Sequence, residues 1–335
     1  MKSLRVGISP DFYVDLKDKF ELILEEKFRD LDYGPANNWY DLDALLALRV
    51  RITAESLQGV DRLILVSRWG VGYDTIDVDA LTARDIALTI TPAAVRRPVA
   101  EAILAFIFAL TTNVIAQDKL VRRGGWRGGI LQPGRGIAGK TLGSIGLGNI
   151  GRQLFAMAQS LGFGRLLATD PFVGSEVATP LGVELVALSE LLRQSDYVAI
   201  NAPLNAQTRG MIGAAELRLM KPTAYLINTA RGAIVDESAL VECVREGRIA
   251  GAALDVFATE PLPTTSPLRE LDNMILAPHG IAFTEELIRD NTVCACDNIL
   301  AVSRGEAPAT VVNTEVLSRP GFQRKLTRYK VTSAS

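Results

Sequence analysis

The stretch Leu142-Gly143-Ser144-Ile145-Gly146-Leu147-Gly148-Asn149-Ile150-Gly151, followed by the helix-compatible segment Arg152 to Leu161, decides the fold. An apolar run of strand length enters a Gly-x-Gly-x-x-Gly turn and leaves into a helix, the context that gives this motif meaning. Gly146 permits the tight turn, Gly148 lets the main chain approach a pyrophosphate, and Gly151 lets the helix pack against the strand. The helix N-terminus, with Asn149 and Ile150 in its first turn, then faces the phosphates. Asp170 ends the next apolar run, where a carboxylate can accept hydrogen bonds from the adenosine ribose hydroxyls. No Arg or Lys occurs from Pro171 to Ala178, so a 2′-phosphate would meet uncompensated repulsion. The segment therefore predicts NAD rather than NADP.

Outward from this segment, short apolar runs alternate with helical patterns, the signature of parallel α/β layers. Before it, Leu4 to Ile8, Ala44 to Leu48, Arg62 to Val66 and Ala87 to Ile90 read as strands, and Val99 to Arg122 reads as one long helix. The Gly-rich stretch from Gly124 to Gly139 reads as a boundary; short, and set in a chain that is not basic, it suits a structured linker better than an RNA-binding Gly/Arg tract. After it, Leu142 to Leu147, Leu166 to Thr169, Tyr197 to Ile200, Ala224 to Asn228, Ala252 to Asp255 and Met274 to Ala277 read as buried strands. A last long helix runs from about Thr284 to Arg304 and leads to a tail expected to be partly disordered.

Composition narrows the function. A length of 335 residues suits two domains, and 36 basic against 38 acidic residues produce no field that would attract nucleic acid or anionic membrane. The longest apolar run, Ala102 to Leu110, is short for a bilayer span, and the first residues lack a signal-peptide core. The expectation is a soluble, cytoplasmic protein without nucleic-acid or membrane partners. Cys294 and Cys296 point about 200° apart on a helix and Cys243 is remote in sequence, so neither a disulfide framework nor a metal site is expected. The single histidine is His279. Any chemistry that needs an imidazole must use it.

Several segments, in order, are those of a known family: Gly70-Val71-Gly72-Tyr73-Asp74, Val99-Ala100-Glu101, the Gly146 motif, Asn228-Thr229-Ala230-Arg231-Gly232, Asp255-Val256-Phe257 with Glu260-Pro261, Pro278-His279 and Val311-Val312-Asn313. From about Asp43 to Leu317 the chain resembles the D-isomer-specific 2-hydroxyacid dehydrogenases, with glyoxylate or hydroxypyruvate reductases and phosphoglycerate dehydrogenases as its nearest types. The resemblance implies a Rossmann dinucleotide-binding domain, residues 111–295, inserted into a flavodoxin-like substrate domain of residues 1–110 and 296–335, both with parallel sheets. It also implies a homodimer formed through the nucleotide-binding half, with Gly124 to Gly139 and the apolar Trp126, Ile130 and Leu131 at the contact.

Arg231, Asp255 and His279 each follow a predicted strand, at the carboxyl edge where open α/β sheets bind ligands. The resemblance implies hydride transfer between a nicotinamide and a 2-hydroxy acid/2-oxo acid pair. Arg231 would bind the substrate and polarise its carbonyl, His279 would serve as general acid/base, and Glu260 would hold the imidazole. The N–H groups of Val71 and Gly72 would take the substrate carboxylate, and Arg68 would bear on substrate choice. Pro203, Thr208, Thr229, Ala230, Asp255 and Gly280 join Gly146, Gly148, Asn149, Ile150, Gly151 and Asp170 as implied NAD-binding positions.

Some residues depart from the family pattern. Val95 stands where many relatives carry a substrate-contacting Asn, followed by Arg96 and Arg97. Trp69 beside Arg68 is bulky where phosphoglycerate-type relatives are small, which disfavours a phosphorylated substrate. Glu260 stands where formate dehydrogenases carry Gln, and the short stretch after Asn313 leaves no room for a regulatory domain. Two other functions fit the same fold. One is a dinucleotide-sensing protein like the related corepressors, and the other is a dehydrogenase of a small oxyanion such as phosphite.

Overall fold

The computed structural model describes residues 4–15, 17–130 and 133–330, with side chains for all of these except 13–15 and 17–20. Its contacts divide the chain into one unit of Met1–Val95 with Phe283–Ser335 and a second of Arg96–Ala282. Both boundaries fall earlier than 110/111 and 295/296. The cause is packing: Ala100, Ile103, Phe106 and Ile107 of the helix Pro92–Thr112 lie in the core of the second unit. The helix Glu285–Ser303 belongs to the first unit, where the Ala295 carbonyl accepts from Ser67 Oγ at 2.9 Å.

The first unit holds β1 (Arg5–Ile8), β2 (Asp32–Pro35), β3 (Ala44–Ala47), β4 (Leu65–Arg68) and β5 (Ala87–Thr89), in spatial order β2-β1-β3-β4-β5. All pairs are parallel. Sequence patterning misses β2, whose Asp-Tyr-Gly-Pro composition lacks an apolar run; as an edge strand it can end on a proline. It also sets β4 too early. Pairing of Ala44 with Leu65 and of Ala47 with Arg68 starts the strand three residues later and puts Arg68 at its carboxyl end.

The second unit holds β6 (Thr141–Ile145), β7 (Arg165–Thr169), β8 (Val183–Leu185), β9 (Tyr197–Ile200), β10 (Tyr225–Asn228), β11 (Gly251–Leu254) and β12 (Met274–Leu276), in spatial order β12-β11-β10-β9-β6-β7-β8. These pairs are parallel as well. Neighbouring residues of β10, Leu226 and Ile227, enter separate hydrophobic clusters, as expected of a strand buried on both faces. The chain reverses direction across the sheet between β6 and β9, which creates the crevice where such sheets bind nucleotides.

The long helix expected from Val99 to Arg122 is two helices, Pro92–Thr112 and Val114–Arg122, bent by 60°. Asn113 between them has φ 54°, a left-handed conformation that asparagine tolerates better than most residues. Among the described residues no single helix is long and apolar enough to cross a membrane. The Gly-rich boundary includes a 3₁₀ turn at Arg127–Gly129, and Leu131 lies outside the described residues.

The tail is more ordered than its composition suggests. The helix Pro320–Thr327 buries Phe322 and Leu326, and the Tyr329 hydroxyl donates to Asp43 Oδ1 at 2.6 Å; residues 331–335 lie outside the described residues. Lys325 Nζ donates to the Leu63 and Arg84 carbonyls, each at 2.8 Å, and burial lowers its pKa from 10.5 to about 8. Between those values the unfolded chain holds a proton that the folded one has released, so this group makes stability rise with pH across that window. Relative to Lys325→Met, the unfolding free energy of the parent should therefore increase from about pH 8 to pH 10.5. Urea denaturation of both proteins at several pH values measures the difference.

Candidate active site

The turn after β6 is built from the groups the motif requires. Gly146 has φ 99°, and a Cβ there would lie 2.8 Å from the Asn201 carbonyl carbon, so only glycine fits. The carbonyls of the turn are covered: Ser144 Oγ donates to the Gly146 carbonyl at 2.7 Å and Arg152 Nε to the Leu147 carbonyl at 3.0 Å. Gly148 is the N-cap of the helix Asn149–Ala158, and no side chain caps that helix. The N–H groups at its N-terminus are thus placed for an anion.

Asp170 follows β7 and fastens this turn. Its Oδ2 accepts the Leu147 N–H at 2.8 Å and its Oδ1 the Phe172 N–H at 2.9 Å. Each oxygen keeps acceptor capacity for a ribose hydroxyl. At the carboxyl ends of β9 and β10, Asn201 Oδ1 and Thr229 Oγ1 are buried without a hydrogen-bond partner among the described residues. Unsatisfied buried polar atoms beside an open helix N-terminus suit a dinucleotide that brings both phosphates and hydroxyls. Thr208 Oγ1 donates to the Pro203 carbonyl at 2.6 Å, closing the loop after β9 on itself.

Further along the same sheet edge stand the groups expected to do chemistry. His279 Nδ1 lies 2.7 Å from Glu260 Oε2, and Glu260 Oε1 accepts the Phe257 N–H at 3.0 Å. Burial pushes the Glu260 carboxyl up, but the hydrogen bonds from His279 and Phe257, with the charges of His279 and Arg231, outweigh it and leave its pKa lowered. Glu260 is therefore ionised at neutral pH and can only accept, which assigns the Nδ1 proton to His279. The Arg231 backbone is clamped by Asn228, whose Nδ2 donates to the Arg231 carbonyl at 2.9 Å while its Oδ1 accepts the Ala230 N–H at 3.0 Å. A Cβ at Gly232 would lie 1.9 Å from the Phe257 carbonyl carbon, a closeness that lets the Arg231 turn sit against the loop carrying Glu260.

Asp255, just past β11, accepts the Gly280 and Ile281 N–H groups at 2.9 and 3.1 Å with one oxygen. Burial raises its pKa against the pull of these two bonds. Sequence reading assigns Asp255 and Gly280 to the cofactor; the structure also shows them holding the backbone on which His279 sits. Three residues of this assembly escape the sequence reading, namely Ser144, Asn201 and Asn228. Their signal is a polar side chain inside or ending an otherwise apolar strand.

In the first unit, Arg68 Nε donates to the Gly72 carbonyl at 2.8 Å, so the guanidinium folds over the Arg68–Gly72 turn. Val95 is buried, Arg96 is exposed, and Arg97 pairs with Glu101 one helical turn on at 2.7 Å.

A parallel sheet with a dinucleotide turn, and a paired histidine and carboxylate near an arginine on the same edge, defines a nicotinamide-dependent oxidoreductase. A family model described as the NAD binding domain of D-isomer specific 2-hydroxyacid dehydrogenases matches residues 104–280. Glyoxylate reductase of Korarchaeum cryptofilum is 39% identical over 289 residues, 84% of this chain and 87% of that protein. D-3-phosphoglycerate dehydrogenase of Methanocaldococcus jannaschii is 38% identical over 275 residues, 82% of this chain and 52% of that protein. The crystal structure of Aquifex aeolicus D-lactate dehydrogenase with NAD and lactic acid matches with a TM-score of 0.80 at 27% identity, covering 90% of this chain and 96% of that one. The chain belongs to the D-isomer specific 2-hydroxyacid dehydrogenases. It is an NAD-dependent enzyme that moves a hydride between a 2-hydroxy acid and a 2-oxo acid.

The Asp170 carboxylate, fixed by two N–H groups beside the turn, should set the preference for NADH over NADPH. Asp170→Ala should narrow the ratio of kcat/KM for the two cofactors, and equal ratios in the parent and the variant would show that the discrimination lies elsewhere.

Proposed function

We propose that this enzyme reduces short, unphosphorylated 2-oxo acids, glyoxylate and hydroxypyruvate foremost, with Arg231, Glu260 and His279 as its catalytic residues. The observation that carries the roles is the 2.7 Å contact between His279 Nδ1 and an ionised Glu260. It leaves Nε2 as the nitrogen free to exchange a proton with substrate oxygen. The bound nicotinamide supplies or accepts the hydride. In reduction, His279 gives its Nε2 proton to the oxygen as charge develops there, and Glu260 stabilises the imidazolium before transfer. In oxidation, the neutral imidazole takes the proton back. Arg231 offers planar guanidinium donors to the substrate carboxylate and carbonyl, where a lysine would present a single point charge. The Val71 and Gly72 N–H groups take the carboxylate; this part of the proposal rests on the family resemblance.

The short-acid preference draws on two supports. Curated relatives at about this identity are named glyoxylate reductase, and Trp69 stands where a phosphorylated substrate favours a small residue. NADH oxidation against glyoxylate, hydroxypyruvate, pyruvate, phenylpyruvate and phosphohydroxypyruvate tests it. The highest kcat/KM should fall on one of the first two. His279→Ala should lose about 10²- to 10⁴-fold in kcat while still binding NADH. A folded His279→Ala protein with nearly parental kcat would remove this residue from the mechanism.

The proposal extends to a cytoplasmic homodimer. Within the second unit, Val114, Ile115, Val121, Trp126 and Ile130 are exposed, Trp126 at 77%, around the Gly-rich stretch. Large apolar side chains exposed in one short stretch of chain suit an interaction site. Light scattering should report about twice the 36.2 kDa chain mass, and a monomer at micromolar concentration would refute the dimer.

A further inference from the structure

The main chain of the turn after β4 is held mostly through its carbonyls. The Trp69 carbonyl accepts from Arg68 Nη1, and the Gly72 carbonyl accepts from Arg68 Nε at 2.8 Å. The Gly70 carbonyl accepts the Thr91 N–H at 3.0 Å, while the Gly70 N–H donates to Thr91 Oγ1 at 2.8 Å. A trans peptide is planar with its N–H opposed to its carbonyl. Fixing the Gly70 carbonyl on Thr91 therefore turns the Val71 N–H to the opposite side. Neither the Val71 nor the Gly72 N–H has an acceptor among the described residues. Gly70 makes the arrangement accessible at φ 121°, a conformation that side-chain-bearing residues avoid.

The turn is anchored from below. Thr91 Oγ1 donates to Asn291 Oδ1 at 2.5 Å and the Trp69 indole N–H to Thr292 Oγ1 at 3.0 Å, both on the helix Glu285–Ser303. Two successive N–H groups left unpaired in one turn form an anion-binding concavity.

We propose that Arg68 is a positioning residue, whose guanidinium ties the Trp69 and Gly72 carbonyls together across the turn and so holds the Val71 and Gly72 N–H groups between them as the seat for the substrate carboxylate. It does not read the rest of the substrate. This rests on the reading above that the turn takes the carboxylate, and it replaces the expectation that Arg68 selects among substrates. Bridging two carbonyls needs a planar fork of donors, so lysine does not substitute. All 2-oxo acids share the carboxylate, so the loss should be common to all of them.

The test compares the parent with Arg68→Ala and Arg68→Lys by steady-state kinetics on glyoxylate, hydroxypyruvate, pyruvate and phenylpyruvate. Oxamate serves as a dead-end competitor, NADH binding is followed by fluorescence, and Tm is recorded. Both variants should raise every KM and the oxamate inhibition constant by one common factor, about tenfold or more, with the substrate ranking and NADH affinity unchanged. Arg68→Lys keeps the cation and answers the question should Arg68→Ala fold poorly. A factor that differs from acid to acid would mean direct contact with the substrate side chain and overturn the proposal. So would a lowered Tm with unchanged KM, which is the mark of a purely structural role. A parent that turns over none of the acids and binds no oxamate overturns the carboxylate reading as well. An active parent with unaltered variants overturns the Arg68 role alone.

Discussion

One carboxylate oxygen of Asp255 accepts two consecutive main-chain N–H groups, and the placing of His279, the proposed acid/base group, depends on that pair of bonds. They fix the chain at Gly280 and Ile281, immediately after a histidine whose φ is 53°. A non-glycine residue in that region persists where its surroundings over-determine it. Here Asp255 holds the following backbone and Glu260 holds the ring. Burial raises the Asp255 pKa above its usual 3.8, so this group favours folding at low pH and its advantage is lost as pH rises through the folded value.

The rest of the site follows from the parallel sheet. Every strand of the second unit runs the same way, so the turns that follow β6, β7, β9, β10, β11 and β12 all emerge at one edge. The groups those turns present are complementary in charge. A helix N-terminus and covered carbonyls suit phosphates, Asp170 suits hydroxyls, and Arg231 suits a carboxylate. Close backbone approach at Gly146 and Gly232 lets these turns sit side by side. The first unit applies a related device on a smaller scale, tying three carbonyls of one loop to Arg68 and Thr91 while the Val71 and Gly72 N–H groups keep no acceptor among the described residues.

Much of this was legible in the sequence because it depends on local pattern. Strand-turn-helix at Gly146 is local, and so are the apolar runs that became β6, β7 and β9 to β12. The edge strands β2 and β8 were not legible, since a short half-exposed strand needs little hydrophobicity and takes its form from its neighbour. The break at Asn113 was hidden for a related reason: the apolar period runs on through it, and one left-handed residue redirects the helix without changing the pattern.

The candidate site divides along the same line. Local pattern picked out the glycine turn and Asp170, strand ends and scarcity picked out Arg231 and the single histidine His279, and the family resemblance added Glu260 and the proposed roles. What each touches required the fold. Asp255 as the holder of the His279 loop, Asn228 as the clamp on Arg231, and Arg68 folded onto its own turn are hydrogen bonds set by where a chain doubles back, some across many residues of sequence. Hydrophobic period and motif spacing carry information along the chain, whereas the direction of a donor depends on the packing that brings distant segments within about 3 Å.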